Sequence, residues 1–390
     1  MNINEMRIFI VYYIMKKINN FLSLTIANSS GNGITAVFWF IIAALLLPSE
    51  YGEIQYFISI AGLAYIISLV GNQTITTVYT AKKIPLQSTL TLISLVTGGI
   101  SSVIILFMFM KFDVSLLVIA FIINDIGIGY LLGKKFFLNY SKYFLAQKSL
   151  TFTLGIILYF VLGPEGIILG LVLSYSHFII LIFKIMRSSQ INFKILKTRW
   201  EFVTTNYSFN LVSIARNHLD KIIVLPLLGF ELLGNYALAL QMYALFMIFS
   251  KIIYNYTLPH DSVGESTVKI KIIAIISSII IMTGGLLLTP VVFPIIFPEY
   301  IDAVVAIQII SLAVIPGTLS LTLSSKFLGD ENARVILISR IGFAVVFIAL
   351  IVILTPIYGI IGSSSSFVIA SVVQTIILFI SNRKRKQNKR

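Results

Sequence analysis

Apolar positions in this chain do not alternate as in a strand; they cluster into runs of twenty residues or more that stop at short groups of Gly, Pro and charge. The runs cover 21–47, 53–79, 86–110, 114–137, 143–162 and 166–186. After a basic stretch at 194–199, six more cover 202–228, 234–256, 272–297, 303–327, 333–355 and 359–380. A helix rises 1.5 Å per residue, so each run is long enough to cross about 30 Å of hydrocarbon. The pattern predicts an all-α polytopic membrane protein of about twelve transmembrane helices. The stretch at 8–15 is too short to span, ends in Lys16-Lys17 and lacks a small-residue cleavage site. It reads as an interfacial lead-in and not a cleaved signal. The expected organisation is a lead-in at 1–20, a six-helix bundle at 21–190, a cytoplasmic linker at 191–201, a second bundle at 202–380 and a basic tail at 381–390.

Charge orients the spans. Lys and Arg fall before the first run (Arg7, Lys16, Lys17), at Lys82-Lys83, at Lys134-Lys135 with Lys142 and Lys148, and from Lys184 to Arg199. They recur at Lys251, Lys269 and Lys271, at Lys326, Arg334 and Arg340, and in the tail from Arg383 to Arg390. The alternate connections hold Glu50, Glu53, Glu165, Glu231, Glu299 and Asp302, with Lys111 as their cation. Positively charged loops stay cytoplasmic, so both termini are expected there, in an inner, cytoplasmic membrane. The outward connections are a few residues long and leave no room for an exterior domain.

Composition agrees: 58% of the 390 residues are hydrophobic and 11% charged, against roughly 25% charged in soluble domains. The net charge of +14 would suggest nucleic acid on a soluble domain with a basic, aromatic-laced face, but no such domain exists here and no nucleic-acid partner is expected. The chain has no Cys, which removes disulfides, thiolate metal sites and cysteine nucleophiles. No metal site and no cofactor are expected. The stretch Gly129 to Lys135 is one residue short of a phosphate-binding loop and no Ser or Thr follows its lysine; it reads as a helix end. No paired-histidine metalloprotease motif or glycine-flanked serine occurs. The chain therefore reads as a non-enzyme, driven by an ion gradient, the membrane potential or its cargo's own gradient.

Two fragments recur at a long interval. Leu46 to Gly52 resembles Leu227 to Gly234, with Gly52 and Gly234 182 positions apart. Pro164 to Gly170 resembles Pro356 to Gly362, with an offset of 192. The matches fall at equivalent points of two six-span halves. Such halves share one orientation and are related by a pseudo-two-fold along the membrane normal, an arrangement that places transporter sites near the midplane. The plainer alternative is that Gly and Pro merely punctuate helix ends.

Ionisable groups inside spans mark a protein interior or a watery pathway. Span seven is the richest: Asn206, Asn210, Ser213 and Asn217 recur every three or four positions with Arg216 and Asp220, flanked by Lys221 and His218. A shift of 181 places Thr25, Ser29, Asn32 and Thr35 of span one opposite Asn206, Asn210, Ser213 and Arg216. Both helices are expected to line a central cavity, polar in the first half and cationic in the second. Arg and Lys suit an anionic head group; alternatively Arg216 and Asp220, four apart on one face, neutralise each other. Asp125 beside Asn124 in span four reads either as a coupling-ion ligand or as a helix-packing group. His177 and His218 titrate near neutral pH and are proton-coupling candidates, or else ordinary packing histidines.

Four stretches carry a family resemblance: Leu45 to Gly52; Asp220-Lys221-Ile222-Ile223-Val224 with Leu228-Gly229 and Leu233 to Ala239; Phe293 to Phe297 with Glu299-Tyr300; and Pro356 to Gly362. In these the chain resembles the Wzx-type O-antigen or capsule-repeat flippases of the multidrug, oligosaccharidyl-lipid and polysaccharide (MOP) flippase superfamily. The resemblance implies a two-lobed twelve-helix transporter that moves undecaprenyl-pyrophosphate-linked oligosaccharide outward by alternating access. It also implies membrane lipids, a polysaccharide polymerase and a chain-length regulator as partners. The family's acidic-basic pair in span seven maps onto Asp220 and Lys221, and its cationic lumen agrees with Arg216. The first half departs from the pattern in contributing no intramembrane Arg or Lys. A small-molecule antiporter of the same superfamily is the alternative.

Overall fold

The computed structural model describes the backbone of residues 3–262, 265–329 and 332–388. It describes side chains within 23–384, apart from 209, 213–217, 259, 263–264 and 330–331. The described residues form helices and no strand. In chain order these are α1 (Ile3–Leu45), α2 (Pro48–Ser68), α3 (Gln73–Ala81), α4 (Gln87–Phe109), α5 (Phe112–Gly133), α6 (Phe137–Leu162), α7 (Glu165–Ser174) and α8 (Phe178–Met186). The linker holds α9 (Phe193–Thr198). Then follow α10 (Trp200–Phe246), α11 (Ile248–Ser262), α12 (Val268–Ile296), α13 (Ile301–Ser311), α14 (Val314–Gly329) and α15 (Ala333–Asn388).

Seven of these helices are long and apolar enough to cross a membrane unaided. Three bent pairs raise the number to ten: α2 with α3 at 40°, α7 with α8 at 44°, and α13 with α14 at 43°. Two long helices are in turn divided by glycines at positive φ, α10 at Gly229 (φ 77°) and α15 at Gly359 (φ 58°). An L side chain rarely adopts that conformation, so each glycine ends one helix and lets the next begin. Those divisions bring the described helices into correspondence with the twelve expected runs. The surface is inside out for water: Phe107 and Met108 of α4, Ile180 of α8 and Ile295 of α12 are all more than two-thirds exposed, as they are when lipid is the solvent. The chain is a multi-pass, all-α membrane protein.

The chain divides into two compact units. Unit 1 holds Met1–Phe38 and Ile60–Leu211; unit 2 holds Trp39–Ser59 and Val212–Arg390. In unit 1, α6 packs on α7, and α3 and α4 on α5. The bend between α2 and α3 frees backbone groups that hydrocarbon cannot satisfy, and polar side chains answer them. Thr97 Oγ1 donates to the Ser68 carbonyl (2.7 Å), Tyr207 Oη to that of Ile67 (2.6 Å), and the Gly71 N–H reaches Ser94 Oγ (3.1 Å). Asn72 caps α3 by accepting from the Ile75 N–H at 3.0 Å. In unit 2, α14 packs on α11 and α15. Hydroxyl pairs stitch α11 to α14, Ser250 with Thr318 (2.7 Å) and one heptad on Thr257 with Ser325 (3.2 Å). Small hydroxyl residues let membrane helices approach while bonding across the seam.

The repeated fragments meet in space. Gly52 and Gly234 lie so close that a methyl on Gly52 would stand 2.0 Å from the Phe230 carbonyl oxygen, and one on Gly234 1.8 Å from that of Pro48. Pro48 and Phe230 are separated by the same 182 positions as the glycines, so the contact is reciprocal, the signature of a local two-fold. The second repeat needs a corrected register. Gly163 and Gly359 both have positive φ, and methyls on Gly166 and Gly362 would meet the carbonyls of Leu158 (2.1 Å) and Leu354 (2.2 Å) respectively. Gly166 therefore matches Gly362, an offset of 196. The offset of 192 was one helical turn out, because glycines spaced by four match themselves after one turn.

Candidate functional site

Unit 2 encloses a half-open cavity of about 540 Å³. Asp220 and Lys221 reach it from α10 before the Gly229 break. Tyr243, Met247, Lys251 and Tyr254 reach it from the stretch where α10 gives way to α11. Ser320 and Ser324 of α14 and Arg340, Phe367 and Gln374 of α15 complete the wall. Gly317 permits the crossing, since a methyl there would stand 2.4 Å from Tyr243 Oη. Thr375 fixes α15 against α14, donating to the Pro316 carbonyl (2.8 Å) and pairing with Ser320 (2.9 Å).

The charges decide what the cavity can hold. Asp220 is buried, its side chain 2% exposed, with Oδ1 3.7 Å from Lys221 Nζ. Such a pair offsets its own desolvation only partly, and Oδ1 has no hydrogen-bond partner among the described residues. The buried ring of Tyr236 lies within reach of the same carboxylate. Lys251 and Arg340 add two cations, and Tyr254 lies in the field of Arg340. Among the described residues the lining thus carries three cations and one carboxylate, and its field favours anions.

The sequence-read residues separate. Asp220 and Lys221 are in the cavity, and among the described residues the cation near Asp220 is Lys221. The side chains of Ser213, Arg216 and Asn217 lie outside the described residues. Ser29 and Asn32 are exposed on α1 in unit 1, and Asn210 is half-buried in the same unit, so none of the three lines this cavity. Other polar residues of α1 bond within unit 1: Asn28 accepts from Tyr140 Oη at 2.7 Å and Ser23 pairs with Ser141 at 2.9 Å. His218 is half-buried and its Nδ1 has no hydrogen-bond partner among the described residues. Asp125, on α5, holds the bend of span two: Oδ2 accepts the Gln73 N–H at the start of α3 (2.5 Å) and Oδ1 accepts from Tyr65 Oη (3.2 Å). Its carboxylate caps a helix N-terminus, where a negative charge is favoured. No group of three or more His, Cys, Asp or Glu among the described residues is arranged to hold a metal.

Two cavity cations, Lys251 and Arg340, were read from sequence as loop charges. Both fall inside the apolar runs at 234–256 and 333–355, and that position was the available signal. Lys148 corrects the expectation that the first half lacks a cation within its helices. It lies in α6, its stem 3.1 Å from where a Gly31 methyl would be and its ammonium 5.4 Å above the Phe144 ring.

No family model matches the chain, and no curated protein matches it. Solved structures do. The lipid II flippase MurJ in an inward closed conformation superposes with a TM-score of 0.73 at 14% identity, covering 92% of this chain and 87% of that one. An inward-facing multidrug resistance MATE family transporter of the MOP superfamily gives 0.66 at 17%, covering 90% and 93%. The chain has the fold of these transporters. A MOP superfamily transporter from Pyrococcus furiosus, described by the reverse polarity of its binding pocket, gives 0.59 at 16%, covering 94% and 95%. The likeness spans nearly the full length of each chain, so the fold is shared as a whole and not as one bundle.

Proposed function

We propose that the protein is a flippase that moves undecaprenyl-pyrophosphate-linked oligosaccharide repeat units across the cytoplasmic membrane by alternating access, for export of O-antigen, capsule or exopolysaccharide. The observation that carries this is the sign of the unit 2 cavity: Lys221, Lys251 and Arg340 against Asp220. A diphosphate joining lipid to sugar carries two negative charges, which matches that surplus. Arg340 offers phosphate a planar fork of donors, while the lysines supply compact charge. The serine hydroxyls and Gln374 suit sugar hydroxyls, and the lipid tail stays in the bilayer. Outward movement of an anion from a negative interior is favoured by about 2.3 kcal/mol per charge per 100 mV, so the membrane potential is an adequate energy source.

The shared fold with MATE transporters supports a second reading, an ion-coupled small-molecule antiporter. An organic-cation exporter calls for an acidic cavity, and the described lining has the opposite sign. The test is to replace Lys221, Lys251 and Arg340 by Gln together in cells that depend on this protein. The expected result is loss of surface polysaccharide with lipid-linked precursor accumulating on the cytoplasmic side. Normal export, or a phenotype confined to drug sensitivity, refutes the flippase reading.

A further inference from the structure

The linker that joins the two halves is folded onto unit 1 and turns one face outward. It leaves α8 at Met186 and enters α10 at Trp200. Two contacts tie it to the start of α4: Ser189 Oγ donates to Ser88 Oγ (2.9 Å), and the Asn192 N–H donates to Thr89 Oγ1 (2.9 Å). Asn192 then caps α9 by accepting the Ile195 N–H at 3.0 Å. Leu196 and Val203 are buried in a cluster with Ile75, Tyr79, Leu86 and Leu90. All of these residues belong to unit 1.

That packing fixes what the other face shows. With Leu196 turned inward, Phe193 and Lys194 fall on the far side of α9. Ile191, Phe193 and Trp200 are each about half exposed, and Lys194 and Arg199 are exposed. Large apolar side chains cost free energy in water, and cations cost it in hydrocarbon. Only the boundary between the two suits both. The linker is held at that boundary, because one span ends at Met186, another begins near Trp200, and the residues it bonds to, Ser88 and Thr89, open a third. Charge narrows the choice of occupant. Between 184 and 203 five Lys and Arg stand against Glu201, and the tail from Arg383 to Arg390 is basic too. Like charge therefore disfavours both the chain's own tail and the same face of a second copy. We propose that this face binds the phosphate groups of anionic phospholipids, with Ile191, Phe193 and Trp200 entering the acyl boundary and Lys194 and Arg199 drawing the phosphates. The leaflet is the cytoplasmic one by the orientation read from the loop charges. Lipid composition thereby acts on the segment that joins the two halves, whatever cargo the protein carries.

The chain has two tryptophans, Trp39 and Trp200, and one of them lies on the proposed face. Trp39→Phe leaves Trp200 as the sole tryptophan. The full chain is placed in vesicles of equal parts phosphatidylcholine and phosphatidylglycerol, with either one or the other lipid brominated near its head group. At low salt the brominated phosphatidylglycerol is expected to quench Trp200 about twofold more than the brominated phosphatidylcholine. That excess should vanish at high salt, where screening is strong, and in Lys194→Gln with Arg199→Gln. Lys135→Gln with Lys142→Gln removes equal charge at exposed positions elsewhere in unit 1 and should leave it. Trp200→Phe, which keeps Trp39 against Tyr51, should show no excess. Equal quenching of Trp200 by the two lipids, or an excess that survives loss of Lys194 and Arg199, refutes the site. Quenching by neither lipid puts the face in water and refutes the lipid in favour of an acidic protein. Melting of each purified variant shows whether it folds; should the double variant not fold, the salt dependence of Trp39→Phe decides, and an excess indifferent to salt refutes the site.

Discussion

Removing the two cavity cations that the fold brings together, Lys251 and Arg340, should weaken binding of a diphosphate steeply without harming the fold. A hydrogen bond involving a charged group contributes about 1.5–3 kcal/mol, and about 1.4 kcal/mol is tenfold in affinity. Two independent losses would cost two to four decades. The residues share one cavity and couple, so the lower end is expected: about a hundredfold loss for Lys251→Gln with Arg340→Gln. Arg340→Lys keeps the charge and loses the planar fork, which should cost about tenfold. Both side chains belong to exposed residues, so stability should change by no more than about 0.5 kcal/mol. The assay is calorimetric titration of inorganic pyrophosphate into protein in nanodiscs at low salt, where screening is weak. Lys197→Gln, an exposed cation in unit 1, is the control. Undiminished binding in the double variant, or an equal loss with Lys197→Gln, would refute the reasoning.

Asp125→Leu should orphan both the Gln73 N–H and the Tyr65 hydroxyl, lowering stability by about 1–3 kcal/mol per group. Asp125→Asn, which keeps an acceptor, should lose less, and equal melting of both variants would show that the cap carries nothing. Asp261, beyond the expected end of span eight, is raised in pKa by burial. Hydrogen bonds from Lys271, Ser325 and Thr267 outweigh that and hold it below the ordinary carboxylate value. Its contribution is therefore present at neutral pH and lost as pH falls through the lowered value. Melting in detergent from pH 7 downward should show this loss, and Asp261→Asn should begin lower and vary less; parallel curves would contradict it.

The spans were legible because hydrocarbon demands long apolar runs, and nothing else in a chain this size produces them so regularly. The bends were less so. Gly71-Asn72 marks one, but α7 breaks from α8 at Tyr175–His177 with no glycine or proline. At the α13–α14 bend the nearest signal is Pro316, which a helix tolerates in its first turn. Of the site, Asp220 and Lys221 were legible as ionisable groups inside an apolar run. Lys148, Lys251 and Arg340 carried the same signal, but lie near run ends, where the rule that cations gather at the cytoplasmic face explains them equally well. The reciprocal closeness of Gly52 and Gly234 depends on backbone geometry, of which sequence similarity alone gives only the pairing.

The exchange of chain segments between the units bears on how such a protein is assembled. The chain leaves unit 1 after Phe38, re-enters at Ile60, and passes to unit 2 again at Val212. A ribosome that has made only the first 200 residues has therefore produced a loop whose packing partners do not yet exist. Cutting the gene between α8 and α10 would yield fragments that each lack part of their own interior. They should be degraded when expressed singly and recover only when synthesised together in one membrane.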